Sequence, residues 1–321
     1  MKKSYSTLLI EFPTSDNLLL TGLLFTPSKP SNKAAVYLHG NGSASIFYSP
    51  TRAHALAESL TKRGISLLLF NNRGAHFIKT LNKVEDPDKI ENQDVSTHSN
   101  YNDVTLGTAY ELIKDCTHDI NGAAAYLHQL NYRELYLIGH SSGANKICVF
   151  DHYQPQNLFK KYVLLGGGDD TGLIYKKIGS KKKFKQYLKQ AKDKIKQGKG
   201  RKLIPKYILD RWLSYQSFYD TVNPDGDYNT FPFIEYEKKL NLSSKSLFRY
   251  FRKIKKQSLI VYGENDDYAP NKSGERANQI LKQLVITKNN FQFQTIKDAD
   301  HSFHGQEQKL GELVGDWLKQ S

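Results

Sequence analysis

Apolar residues in this chain gather in short continuous runs, and the stretches between them carry helical spacing. Residues 5–12 (YSTLLIEF) and 18–25 (LLLTGLLF) flank a Pro-Thr-Ser-Asp-Asn turn and predict a hairpin. Residues 34–38 (AAVYL) predict a short buried strand. ISLLLF at 65–70, ELYLIG at 134–139, KYVLLG at 161–166 and SLIVYG at 258–263 are mostly apolar at strand length, and 291–296 predicts one more strand. Runs of this kind lack the alternation of a half-exposed strand, so both faces need cover, as in a parallel sheet between helices.

Helices are expected at 51–63 (stopped by Gly64), 110–130, 142–151, 273–284 and 306–319. Over 110–130 the residues Leu112, Ile113, Cys116, Ile120, Ala123, Ala124 and Leu127 recur at helical spacing. Strand and helix alternate, which predicts βαβ units and a doubly wound α/β sheet. Two segments break the rhythm. Residues 73–108 are polar and read as a long loop, the kind that is usually functional or disordered in a compact domain. Residues 171–256 interrupt the core between two strands. The expected organisation is therefore a core of 1–170 and 257–321, with 171–256 as a basic helical cap.

The formal charge of +14 would suit a nucleic-acid or membrane partner if it were spread over the chain. It is not. Residues 176–256 hold 23 Lys and Arg against 7 Asp and Glu, so the remainder carries a net −2. Within that segment Phe184, Tyr187, Leu188 and Ile195 fit one face of a Lys-rich helix. Such a helix suits peripheral contact with an anionic membrane, but a solvated charged face on a cap is the plainer reading. No nucleic-acid-binding motif is present, so no nucleic-acid partner is expected. Cys116 and Cys148 form no metal-type or disulfide-type pattern. The start of the chain lacks the apolar stretch of a signal peptide, and a cytoplasmic location is expected.

The chemistry concentrates at strand ends. Gly139-His140-Ser141-Ser142-Gly143 follows an expected strand and opens an expected helix. That context turns a common G-x-S-x-G pattern into a nucleophile elbow, with Ser141 exposed above the sheet. A serine hydroxyl needs a base. The order serine, acid, histidine is completed by Gly263-Glu264-Asn265-Asp266-Asp267 after one strand and by Asp298-Ala299-Asp300-His301 after the last. Asp266 is preferred over Asp267 as the acid, with Asp169 or Asp170 as alternatives on the preceding strand. His301 is preferred over His304 as the base. Backbone N–H groups of Asn41, in the His39-Gly40-Asn41-Gly42 loop, and of Ser142 are the expected oxyanion donors. His39 and His140 are read as structural. Arg73, His76 and Trp212 are expected to line the substrate site, most of the other cap aromatics being packing. No metal is expected.

These motifs, with Phe70-Asn71-Asn72-Arg73-Gly74, resemble those of α/β-hydrolases. Asn71–His76, Gly107–Glu111, Asp115-Cys116 and Asp119-Ile120 resemble, more narrowly, an uncharacterised branch related to the fungal siderophore-ester hydrolases. The resemblance spans about residues 15–170 and 257–320 and is weak over the basic segment. It implies an α/β-hydrolase fold, esterase-like activity on a small-molecule ester that extends to bulky esters or lactones, and no metal or organic cofactor. A basic cap would favour acidic substrates. One departure from the resemblance is Gly166-Gly167-Gly168-Asp169-Asp170, where a Ser-Pro-like turn is expected. The other function class is a non-catalytic binding protein on the same fold, its basic cap contacting anionic partners. The intact Ser/Asp/His set argues against it. Sequence leaves amide, thioester and lactone chemistry, and the oligomeric state, open.

Overall fold

The computed structural model describes residues 5–41, 45–84 and 101–320. The hairpin is present as β1 (Tyr5–Pro13) and β2 (Leu19–Pro27), paired antiparallel from Tyr5↔Pro27 to Pro13↔Leu19. Its turn is closed by Thr14, whose hydroxyl accepts the Leu18 N–H at 2.9 Å. Next come β3 (Lys33–Leu38), α1 (Pro50–Lys62), β4 (Ile65–Phe70), β5 (Lys79–Val84), β6 (Tyr101–Leu106) and α2 (Cys116–Gln129). They are followed by β7 (Glu134–His140), α3 (Ser142–Tyr153), β8 (Phe159–Leu165) and four helices: α4 (Asp170–Ile178), α5 (Lys181–Lys196), α6 (Tyr215–Val222) and α7 (Phe233–Lys238). The chain ends with β9 (Gln257–Gly263), α8 (Gly274–Leu284), β10 (Phe291–Ile296) and α9 (Glu307–Lys319).

Eight strands form one sheet in the order β1-β2-β4-β3-β7-β8-β9-β10. The β1–β2 and β2–β4 pairs are antiparallel; from β4 to β10 the pairing is parallel. The continuous apolar runs follow from the pleat, which sends successive side chains to opposite faces. Val36, Leu68, Phe70, Leu135 and Leu137 face one apolar cluster with residues of α2, α3 and α8. Their chain neighbours Ala35, Tyr37, Leu67, Leu69, Tyr136 and Ile138 face the other, with α1 and α9. Both faces are covered, which is why these strands read as nearly continuous apolar runs.

Two sequence expectations change. Helix α2 begins at Cys116 rather than near residue 110, because Ile113–Asp115 form a 3-10 turn and the Ile113 N–H is taken by the Asp220 carboxylate at 2.8 Å. Leu112 and Ile113 therefore continue the apolar spacing without continuing the helix. Within the polar 73–108 stretch, β5 and β6 form an antiparallel pair, with register Lys79↔Leu106 to Val84↔Tyr101. Residues 85–100 within it lie outside the described residues.

The segment between β8 and β9 divides in two. Residues of α4, α5 and α6 with Ile204, Ile208, Leu209 and Leu213 make their own small apolar cluster. The aromatic residues Tyr228, Phe231, Phe233, Phe248, Tyr250 and Phe251 instead join the main core. On α5, Phe184 and Ala191 are buried while Lys182, Lys185, Lys189 and Lys192 are exposed, so its apolar stripe is spent on packing. Among the described residues no helix is long and apolar enough to cross a membrane.

Candidate active site

Ser141 stands between β7 and α3 with φ +56°, a left-handed conformation that costs energy for a residue with a side chain. The tight reversal is held by Ser141 N–H donating to Leu165 O and Ala144 N–H donating to Ser141 O, each at 2.8 Å. It also needs two residues without a Cβ. A Cβ on Gly139 would lie 2.3 Å from Gly143 O, and one on Gly143 would lie 2.3 Å from Leu38 O. The G-x-S-x-G spacing is thus a packing requirement of the turn that lifts the Ser141 hydroxyl above the sheet.

The loops after β9 and β10 deliver the other two groups. His301 Nε2 lies 3.0 Å from Ser141 Oγ, and His301 Nδ1 lies 2.9 Å from Asp266 Oδ1. Asp266 is fully buried, and its Oδ1 also accepts the Tyr268 N–H at 2.9 Å. A carboxylate can only accept, so Nδ1 carries the proton and Nε2 presents its lone pair to the serine. The structure brings Ser141, His301 and Asp266 into one relay. Asp267, the alternative acid, is exposed. Asp169 caps α4, accepting from Gly172 N and Ile234 N at 2.7 Å each. Asp170 faces the cleft but is not within hydrogen-bonding reach of His301, and burial pushes its carboxyl up. His304 is exposed and bonded to Asp300 at 2.7 Å.

Two histidines support this relay from behind. His140 Nε2–H donates to the backbone oxygen of His301 at 2.8 Å. Arg52 of α1 donates to the next carbonyl, Ser302 O, at 2.9 Å. His39 uses both ring nitrogens: Nδ1–H donates to Gly40 O at 2.8 Å, and Nε2 accepts the Asn72 N–H at 3.1 Å. That arrangement requires a neutral ring. Burial, followed by the nearby Lys146 charge, lowers His39 to about 3. Because Gly40 O and Asn41 N–H belong to one peptide, fixing the carbonyl on His39 also fixes the direction of the Asn41 N–H. Gly40 lies against Ser141; a Cβ there would sit 3.0 Å from Ser141 Cβ. The Asn41 side chain donates to the Tyr228 hydroxyl at 2.5 Å. Ser142 is buried at the head of α3. Gly42 lies outside the described residues.

Of the three residues expected to line the substrate site, Trp212 lines the cleft over Ser141. Arg73 does not. Its guanidinium is buried and bonded to Asp119 at 2.8 Å and to Asp16 at 2.7 Å, while its own N–H donates to Asp119 at 2.9 Å. Burial opposes that charge, but the two carboxylates outweigh it and hold the guanidinium above its ordinary range. Arg73 therefore ties the loop after β4 to α2 and the first hairpin turn. His76 sits one layer back, with φ +63°, and its Nδ1 meets the Tyr48 hydroxyl at 3.1 Å. Tyr48, Phe77 and Tyr268 line the cleft and carry no sequence motif. Tyr228 was equally invisible, lying in a turn-rich stretch.

The cleft over Ser141 has a volume of about 700 Å³, enough for a bulky small molecule. Among the described residues no group of three or more His, Cys, Asp or Glu is placed to hold a metal.

Three solved structures similar to this one are an α/β hydrolase from Penicillium sp. sh18, an esterase from Butyrivibrio proteoclasticus with ferulic acid bound, and an esterase from Pyrococcus furiosus. The first is 15% identical, covers 98% of each chain and has a TM-score of 0.58. The second is 15% identical, covers 96% of this chain and 97% of that one, and scores 0.56. The third is 17% identical, covers 98% and 93%, and scores 0.55. At such identities the likeness establishes the fold, an α/β-hydrolase fold. No curated protein matches the sequence. The model of a family described as a protein of unknown function, DUF1749, matches residues 74–319, and the chain belongs to that family.

Proposed function

We propose that this member of the DUF1749 family is a serine hydrolase that cleaves carboxylic esters through an acyl-serine intermediate. The observation that carries the proposal is the continuous relay from Ser141 Oγ through His301 to the buried Asp266, at 3.0 Å and 2.9 Å. Ser141 Oγ attacks the ester carbonyl carbon while its proton passes to His301 Nε2. Asp266 stabilises the imidazolium without taking the proton. The negative charge that develops on the carbonyl oxygen is met by the backbone N–H groups of Asn41 and Ser142, at the head of α3 where the helix dipole is positive. The tetrahedral centre collapses, the carbon–oxygen bond to the alcohol breaks, and His301 returns its proton to the leaving oxygen. Water then attacks the acyl carbon, gives its proton to His301, and the proton returns to Ser141 Oγ as the acid departs.

Ester cleavage needs no redox partner, and every proton in this cycle is carried by groups in the cleft. The volume of about 700 Å³ suits a bulky ester or lactone. Turnover of a p-nitrophenyl ester tests the proposal. Wild type is expected to hydrolyse it, and Ser141→Ala to lose at least about a thousandfold in kcat with an unchanged circular dichroism spectrum. Full activity in Ser141→Ala would refute the assignment.

A further inference from the structure

Aromatic rings in this protein are mostly buried, and the exceptions are not scattered. Among the described residues seven aromatic side chains are largely exposed: Phe47, Tyr48, Phe77, Tyr153, Tyr207, Trp212 and Tyr268. Four of them line the cleft over Ser141. Tyr48 is 60% exposed, Phe77 43%, Trp212 52% and Tyr268 44%. They come from four separate segments: the turn before α1, the loop before β5, the stretch between α5 and α6, and the loop after β9. Leaving four rings in water forgoes the burial that large aromatic side chains normally gain. Convergence from four segments on one opening is a built arrangement.

Two of the rings are tied directly to site residues. Tyr268 packs against His301 with ring centroids 4.4 Å apart, tilted by 35°. Tyr48 meets His76 edge-on with centroids 5.7 Å apart, in addition to their hydrogen bond, so it is steadied from behind. Part of the cleft wall is polar, beside the apolar Ile174 and Leu213. Asp170 and Arg211 both face the cleft. A plain alkyl chain would cover the rings but offer no hydrogen-bonding group to the polar side chains that face the cleft. A flat ring with hydroxyl groups on its edge meets both requirements: its faces stack on the collar, and its edge bonds to the polar wall.

We infer that Tyr48, Phe77, Trp212 and Tyr268 form an aromatic collar that selects esters carrying a hydroxylated aromatic ring. This inference rests on the ester-hydrolase reading of Ser141 and names the substrate class of that site. The bond made and broken is the same acyl bond described above; the collar adds only recognition.

Matched pairs of esters test it. Methyl 4-hydroxycinnamate is compared with methyl octanoate, placing the ring on the acyl side, and 4-hydroxyphenethyl acetate with octyl acetate, placing it on the alcohol side. In at least one pair kcat/KM is expected to favour the aromatic ester by about tenfold or more, and that ratio is expected to collapse towards one in Trp212→Ala and Tyr48→Ala. Tyr207→Ala, which removes an exposed ring outside the cleft, is expected to keep the wild-type ratio. A fluorophosphonate is used alongside to label Ser141. Labelling without aromatic preference in either pair, or with a preference that survives both cleft variants, overturns the collar and leaves the hydrolase assignment standing. Absence of both labelling and turnover overturns the two together.

Discussion

The Asn41 side chain donates a 2.5 Å hydrogen bond to the hydroxyl of Tyr228, a residue 187 positions later in the chain. Tyr228 is buried, and burial with the Asp170 and Glu111 charges nearby holds its hydroxyl protonated. It can therefore accept from Asn41 and still donate elsewhere. This bond links the segment between β8 and β9 to the loop proposed to carry an oxyanion donor. Tyr228→Phe removes the acceptor and is expected to lower kcat on the order of tenfold while KM changes little, since the loop acts on the transition state. Asn41→Ala is expected to cost about the same, and the double variant less than the product of the two. Steady-state kinetics on the four proteins checks this; independent, multiplicative losses would mean the bond does not position the loop.

The central strands β3, β4, β7, β8 and β9 were legible because they are buried on both faces, which leaves a nearly unbroken apolar run in the sequence. Ser141 and Asp266 were legible because each follows such a run, and His301 because it follows the last strand. Asp266 over Asp267 followed from spacing, and the structure separates them by burial and by the bond from Asp266 to His301. Three features were not readable. An arginine bonded inside to Asp16 and Asp119 has the same sequence appearance as one facing a ligand, so Arg73 was misread. The pairing of β5 with β6 joins two polar strands that no short turn connects, so no hairpin signal marks it. Tyr228, Tyr48 and Tyr268 reach the site only through tertiary folding, and their local sequence holds no trace of it.

Helix α3, which follows Ser141, carries one side of a buried ion pair. Lys146 on α3 bonds to Glu111, with side chains only 1% and 5% exposed. Removing one partner strands the other charge in the core. Lys146→Met is expected to cost about 3–5 kcal/mol, whereas Lys146→Met combined with Glu111→Leu is expected to recover most of that loss. Chemical denaturation of the wild type and both variants gives the comparison. A single variant as stable as wild type would show that the pair contributes nothing to the fold.

His39 supplies a pH dependence. Its ordinary value is 6.5, and burial followed by the Lys146 charge lowers it to about 3 in the folded protein. Between those values the unfolded chain binds a proton that the folded chain refuses, so stability rises with pH across this window and is lost as pH falls through it. Protonation would also set Nε2–H against the Asn72 N–H. His140 is lowered for the same leading reason, burial, so it adds to the slope. The melting temperature is expected to fall from pH 6.5 towards pH 4, and less steeply in His39→Gln. An equally steep fall in that variant would remove His39 as a source.

The relay itself is tested most directly by intact-mass spectrometry after exposure to a fluorophosphonate, because the reagent reports an activated serine without any assumption about substrate. One adduct is expected on wild type, mapped to Ser141. None is expected on Ser141→Ala, and labelling on the order of a thousandfold slower is expected in His301→Ala. Absence of an adduct on folded wild-type protein, or equal labelling of His301→Ala, would contradict a working Ser141–His301–Asp266 relay.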